Sequence, residues 1–168
     1  MLHAARDPDA FVIGIDADAA SMRETSRKAA RPPDKGGVPN AMFVVGSVGS
    51  LPDELDAVAD DVRVTFPWGS LLRGVLGVDP AVLRGIARVA KVGADVRALV
   101  SVTERDGLGL IARVDPSVYD AYGLRLIEAR PATQAEIAET NSSWAKRLRA
   151  GRDRPVTLVR SVREPASS

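Results

Sequence analysis

Short β-branched runs alternate with helical stretches along this chain, and that alternation leaves few architectures open to it. Phe11 to Ile15 is apolar and closed by Asp16, and it reads as a buried strand. Ala41 to Gly46 reads the same way. Val62 to Phe66, Val96 to Val102, Leu124 to Ile127 and Val156 to Val162 complete a set of six. Asp18 sits where an N-cap would start a helix from Ala19 to Ala30, which Pro32-Pro33 stops. Pro80 suits the first turn of a helix to Val89, closed by Lys91-Val92-Gly93. Asp115-Pro116 opens another helix and Gly123 ends it. Thr133 with Glu136 has capping-box spacing, ahead of a helix to Leu148. The prediction is one α/β domain over residues 1–163 with a mostly parallel sheet, followed by a short tail, 164–168.

Composition removes several kinds of chemistry. The 168 residues contain no Cys and a single His, His3. Thiolate metal sites, disulfides and a Cys nucleophile are excluded, and no His-based metal site can be built. There is no apolar run of membrane-spanning length and no signal peptide at the start, which points to a cytoplasmic protein. The net charge is only +1, but it is unevenly spread. Lys146, Arg147, Arg149, Arg152, Arg154, Arg160 and Arg163 face only Asp153 and Glu164 in the last stretch of chain. Arg suits phosphate because its planar fork donates two parallel hydrogen bonds.

In open α/β sheets ligands sit beyond the carboxyl ends of the strands. Asp16 ends the first strand. A carboxylate there can accept from both hydroxyls of a ribose; alternatively it only helps to start the next helix. The third strand ends in Phe66-Pro67-Trp68-Gly69-Ser70, where Pro breaks the strand and Gly allows a sharp turn. Trp68 is either a core residue or a rim residue able to stack on a flat base. The other Trp, Trp144, follows Ser142-Ser143 and precedes the basic run. Two such rings could clamp an extruded nucleobase. A nucleoside-binding α/β domain needs a Gly-rich turn after its first strand, and no such turn precedes Phe11 to Asp16.

The segments GIDAD, Thr65 to Leu76 (TFPWGSLLRGVL), and SSWAKRL with GRDR resemble the aminoglycoside-resistance 16S rRNA (adenine(1408)-N(1))-methyltransferases. The resemblance runs through the whole chain and corresponds to the last three-quarters of a family member. It implies a class I S-adenosylmethionine-dependent methyltransferase fold, Rossmann-like, here lacking the first strand and the glycine-rich loop. It implies S-adenosylmethionine as cofactor and methylation of adenine N1 in the decoding site of 16S rRNA within the 30S subunit; a monomer is expected because a large ribosomal surface must be engaged, and no metal is expected from the composition. Carried over by motif, Asp16 would hold the cofactor ribose, with Val48 and Gly49 near its adenine. Thr65, Phe66, Pro67, Trp68, Gly69 and Ser70 would line the cofactor crevice. Trp68 and Trp144 would sandwich the target adenine, beside Ser142 and Ser143. Lys28, Lys35, Arg147, Arg149, Arg152 and Arg154 would contact rRNA.

Two departures matter. Gly49 stands where the family usually has an acid, and the family's first strand would lie between the strands ending at Asp16 and Phe66. Without it those two strands would have unpaired edges. One expectation is that Met1 is a misassigned start and that the upstream frame encodes the missing strand and loop. The others are an rRNA-binding remnant that transfers nothing, and a methyltransferase acting on a small molecule.

Overall fold

The computed structural model describes residues 4–5, 7–103, 106, 114–142, 145–146 and 154–165. The chain divides into two compact units, Met1–Leu51 and Pro52–Ser168.

The first unit is a β-α-β element. Strand β1 (Val12–Asp16) pairs in parallel with β2 (Ala41–Val45), with Val12 opposite Ala41 and Asp16 opposite Val45. Helix α1 (Ala19–Ala29) connects them and packs on both. Its start follows from Asp18, whose carboxylate accepts from the backbone N–H groups of Ala20 and Ser21. Both strands were expected to be buried, and they are not. Phe11 is 63% exposed, and Ile15, Met42 and Val45 are also exposed. The reason lies in the pairing: among the described residues each strand has one strand neighbour, so apolar side chains remain in contact with solvent. The phenyl ring of Phe43 lies over Gly14, where an added Cβ would come within 2.9 Å of it.

The second unit holds a four-stranded sheet in the order β3-β4-β6-β5. Its strands are β3 (Ala59–Thr65), β4 (Ala90–Val100), β5 (Leu124–Pro131) and β6 (Thr157–Arg163). The β3–β4 pair is parallel, whereas β6 runs antiparallel to both β4 and β5. Three of the four strands therefore share one direction, which makes this sheet mostly parallel. Thr65 pairs only with β4, so both β1 and β3 are edge strands among the described residues.

One face of this sheet is apolar. Val64, Val96, Ala98, Leu124 and Val159 line the same buried space as Val75, Leu83, Ile86 and Tyr119 from helices α2 (Gly69–Val75), α3 (Pro80–Val89) and α4 (Pro116–Asp120). The buried Tyr119 hydroxyl donates to the Val75 carbonyl, and burial pushes its pKa up. Helix α3 spans the residues the sequence indicates, because Asp79 caps it and Pro80 fills its first position. Strand β4 begins at Ala90, well before Val96. Lys91-Val92-Gly93 does not stop the chain; it passes straight from helix to strand, with Gly93 at φ 86°.

Helix α5 (Gln134–Glu139) is shorter than its sequence predicts. Asn141 takes φ 48°, a left-handed conformation that Asn tolerates, and this turns the chain before Leu148. The helix starts as expected. Thr133 Oγ1 accepts from the Glu136 N–H at 3.2 Å, and Glu136 Oε2 accepts from the Thr133 N–H at 2.7 Å. Arg130 donates to both Glu136 oxygens at 2.7 and 3.0 Å. Arg130 above all, with the Thr133 N–H, holds the Glu136 carboxyl at a pKa of about 2. A depressed carboxylate stabilises above its unfolded pKa, and that contribution fades as pH falls through the folded value. Discounted for solvent screening, Glu136→Gln is expected to cost about 1 kcal/mol at pH 7. The gap to wild type should close between about pH 4.5 and pH 2, read from urea midpoints.

Glu164, read as the start of a tail, is held in place. Its N–H donates to the Gly123 carbonyl at 2.8 Å, and its carboxylate accepts from Arg125 at 2.6 Å.

Candidate functional site

In the first unit the polar groups gather at the carboxyl ends of β1 and β2. Asp16 is exposed there, and its Oδ1 accepts from the Asp18 N–H at 2.9 Å. The Asp16 carbonyl accepts from Gly46 N–H at 3.0 Å, which draws the chain after β2 to the same end. Ser47 then leads into a 3-10 turn, Val48–Ser50, in which Val48 is half-buried and Gly49 exposed. Asp16, Val48 and Gly49 are thus brought to one end of one element. Among the described residues nothing donates to the second Asp16 oxygen, which leaves it open to a ligand hydroxyl, and Gly49 offers a ligand backbone alone.

Lys28 is on α1 and pairs with Glu24 at 2.6 Å, one turn earlier; this pairing lowers the Glu24 pKa. Lys35 is exposed in the 3-10 turn Pro33–Lys35 that follows the helix.

In the second unit the chain leaves β3 through Phe66, which takes φ 49°, rare for an aromatic residue. The Phe66 N–H still donates to the Leu99 carbonyl at 2.9 Å, so the turn is anchored to β4. The Phe66 side chain packs against a cluster of Leu99, Ile137, Ala145, Val156 and Leu158. Pro67 is buried. Trp68 is the reverse: it is 84% exposed, at the N-cap of α2. This exposure excludes the core reading of Trp68. Gly69 follows at φ 59° with open space around it, and Ser70 is exposed. The rest of the run anchors this tip. Leu72, Val75 and Leu76 are core residues, and a Cβ on Gly74 would stand 2.0 Å from Val82 Cβ.

The second aromatic segment is only partly in view. Ser142 is half-buried, and its Oγ accepts from the Ala145 N–H at 3.3 Å. Lys146 donates to the Asn141 side chain. Ser143, Trp144, Arg147, Arg149 and Arg152 lie outside the described residues, and Arg154 is half-buried ahead of β6. Ala145 and Phe66 meet the same apolar cluster, so the residue after Trp144 and the residue two before Trp68 share one anchor.

One charged group was missed in the sequence. Arg63, Arg97 and Arg160 stand opposite one another on β3, β4 and β6, and Glu128 stands opposite Arg160 on β5. Asp61 and Asp95 bridge them: Arg63–Asp61 and Arg97–Asp61 are 2.8 and 3.2 Å, and Arg97–Asp95 and Arg160–Asp95 are both 2.8 Å. Arg63 also reaches Glu139 at 3.2 Å. Partial burial disfavours the Arg63 charge, but Asp61 and Glu139 outweigh it and raise the pKa. The available signal was the recurrence of Val62-Arg63-Val64, Val96-Arg97-Ala98 and Val159-Arg160-Ser161, which places an Arg on one face of each strand.

The family model for the NpmA 16S rRNA (adenine(1408)-N(1))-methyltransferases matches residues 1–163. The chain belongs to this family. A 16S rRNA (adenine(1408)-N(1))-methyltransferase of Streptoalloteichus tenebrarius is 36% identical over 166 residues, covering 90% of this chain and 75% of that protein. One from Escherichia coli is 32% identical over 165 residues, with the same shares. Among solved structures, a variant 16S rRNA (adenine(1408)-N(1))-methyltransferase from Catenulisporales acidiphilia, with cosubstrate SAM, matches at TM-score 0.84 and 31% identity. It covers 99% of this chain and 81% of that one. The 16S rRNA methyltransferase KamB matches at TM-score 0.84 and 30% identity, covering 98% and 81%. The fold class expected from the sequence is therefore the fold of this methyltransferase family. Among the described residues no group of His, Cys, Asp and Glu could hold a metal ion, and no helix is long and apolar enough to cross a membrane.

Proposed function

We propose that this methyltransferase-family chain methylates N1 of the decoding-site adenine in 16S rRNA of the 30S subunit, using S-adenosylmethionine, and so confers aminoglycoside resistance. It would act as a monomer in the compartment that holds ribosomes. The observation that carries the reading is Trp68, an 84% exposed Trp on a strained, anchored turn at the carboxyl end of a strand. Nothing in core packing asks for a ring there; stacking on an extruded base does.

The residues present suit the adenosine end of the cofactor. Asp16 offers carboxylate oxygen to the ribose hydroxyls, and the Val48–Gly49 turn lies at the same strand ends. Thr65 to Ser70 would line the methyl-bearing end. When bound, S-adenosylmethionine supplies a sulfonium methyl carbon that is already electrophilic. Adenine N1 carries a lone pair and no proton, so this chain needs no general base. Its work is alignment and exclusion of water. Trp68, with Trp144, would hold the ring so that the N1 lone pair faces that carbon. Methylation would leave positive charge on the adenine ring, and the aromatic face of Trp68 would attract it. Ser142 and Ser143 would sit beside the base. Lys28, Lys35, Arg147, Arg149, Arg152 and Arg154 would hold the rRNA backbone, which predicts salt-sensitive binding.

The test is methyl transfer from labelled S-adenosylmethionine to intact 30S subunits, followed by primer extension on 16S rRNA. N1 methylation blocks base pairing, so a single stop at the target adenine is expected. Salt-sensitive rRNA binding without transfer would instead establish the silent remnant. Gly49, with no side chain to meet the cofactor adenine, is the residue that favours that second reading.

A further inference from the structure

We infer that Arg63 is a positioning residue that sets the spacing between the Trp68 turn and the segment running from α5 to Ser142. This rests on the reading of Trp68 and Ser142 as groups that clamp and flank the target base.

Arg63 lies on β3, the strand that ends at the Trp68 turn. Glu139 is the last residue of α5, the helix that leads to Ser142. Arg63 Nη1 donates to Glu139 Oε1 at 3.2 Å and joins the two elements directly. A carboxylate at a helix C-terminus is opposed by the helix dipole, so Glu139 has no local reason to be there. Its partner across the sheet supplies one. The guanidinium is itself held: its Nε donates to Asp61 Oδ2 at 2.8 Å, and Asp61 is also gripped by Arg97 at 3.2 Å. Arg63 is thus tied on one side to the sheet and on the other to the helix end.

After Glu139 the path is short and tightly bonded. The Thr140 hydroxyl donates to the Ile137 carbonyl at 2.8 Å, and the Ser142 N–H donates to Thr140 Oγ1 at 3.2 Å. Asn141 between them reverses the chain. A second tie joins the same two segments, because Phe66 packs on the cluster that contains Ala145. One apolar tie fixes a distance but leaves rotation about it. The ionic tie, set beside it, removes that rotation. A strut of this kind needs little stability of its own, since exposed pairs contribute little to folding. Its effect is on geometry, to which transfer rates are far more sensitive.

The experiment uses the absence of Cys in this chain. Arg73→Cys and Lys146→Cys place nitroxide labels on the two segments, and pulsed electron resonance reads the distance distribution. Glu139→Gln and Arg63→Met are expected to broaden it. Arg63→Lys should restore much of the original width. Glu164→Gln, which breaks the comparable Arg125–Glu164 pair elsewhere, should leave it unchanged. With 30S subunits, Glu139→Gln is expected to lower kcat about tenfold, with the KM for S-adenosylmethionine unchanged and Tm lowered by only a few degrees. An unchanged distribution in Glu139→Gln, or equal broadening in Glu164→Gln, would overturn the inference. Should Trp68→Ala retain full transfer, the clamp reading fails alone, and the label distances still decide whether Arg63 is a strut.

Discussion

Trp68→Ala is expected to lower kcat/KM for methyl transfer to 30S subunits by about 100-fold while leaving the fold intact. The size follows from what one ring face provides. Stacking on a base is worth about 1–3 kcal/mol, and attraction to the cationic product-like ring about 0.5–2 kcal/mol more. Their sum, near 3 kcal/mol, converts to about two powers of ten. The unchanged fold follows from exposure: the side chain is 84% accessible, so its loss leaves no cavity. Tm should stay within about 2 °C of wild type. Trp68→Phe keeps an aromatic face and should retain activity within about tenfold. Binding of 30S subunits should keep its salt dependence, because phosphate contacts carry that and the ring makes none. Near wild-type transfer by Trp68→Ala would remove the base-stacking role.

Gly74→Ala is expected to destabilise the second unit by about 2 kcal/mol, although Ala is the better helix former. An added Cβ would stand 2.0 Å from Val82 Cβ and 2.4 Å from both of its Cγ atoms. Val82 is buried and β-branched, so it cannot rotate out of the way. Overpacking of this kind costs about 1–3 kcal/mol, and here it should reach the top of that range, against about 1 kcal/mol gained from helix propensity. The diagnostic experiment is a sign reversal. In a Val82→Gly background the clash is absent, so Gly74→Ala should stabilise instead. Urea unfolding of the four combinations reads this. Equal effects in both backgrounds would show that α2 and α3 do not meet at Gly74. Loss of this contact should also lower methyl transfer, since α2 seats the turn that presents Trp68.

The features that were readable in the sequence are those written in neighbouring residues. Asp18 and Asp115 mark helix starts because a short side-chain acceptor must sit next to the N–H groups it caps. Thr133 and Glu136 announce α5 for the same reason. Its end was not readable, because Asn141 turns the chain without a Gly or Pro. Strand β4 was placed too late because Gly93 looks like a stop, whereas in the structure it lies inside the strand. The exposed position of Trp68 could be argued from Pro67 and Gly69. The Arg63–Arg97–Arg160 row could not be found by scanning for clusters of charge. These residues are far apart in sequence, and only strand register sets them side by side.

The position of β6 also governs when the second unit can form. Its residues, Thr157–Arg163, come after every other described strand in chain order, yet they lie between β4 and β5. Until they emerge, β5 lacks the strand it pairs with among the described residues, and the Asp95 side chain lacks Arg160. The nascent chain cannot assemble this sheet strand by strand in chain order; it must wait, with β5 and the apolar residues of β4 unsatisfied, until Thr157–Arg163 has emerged. Closure then depends on contacts distant in sequence, which form slowly. A stop before Thr157 would therefore leave an aggregation-prone chain rather than a working sheet.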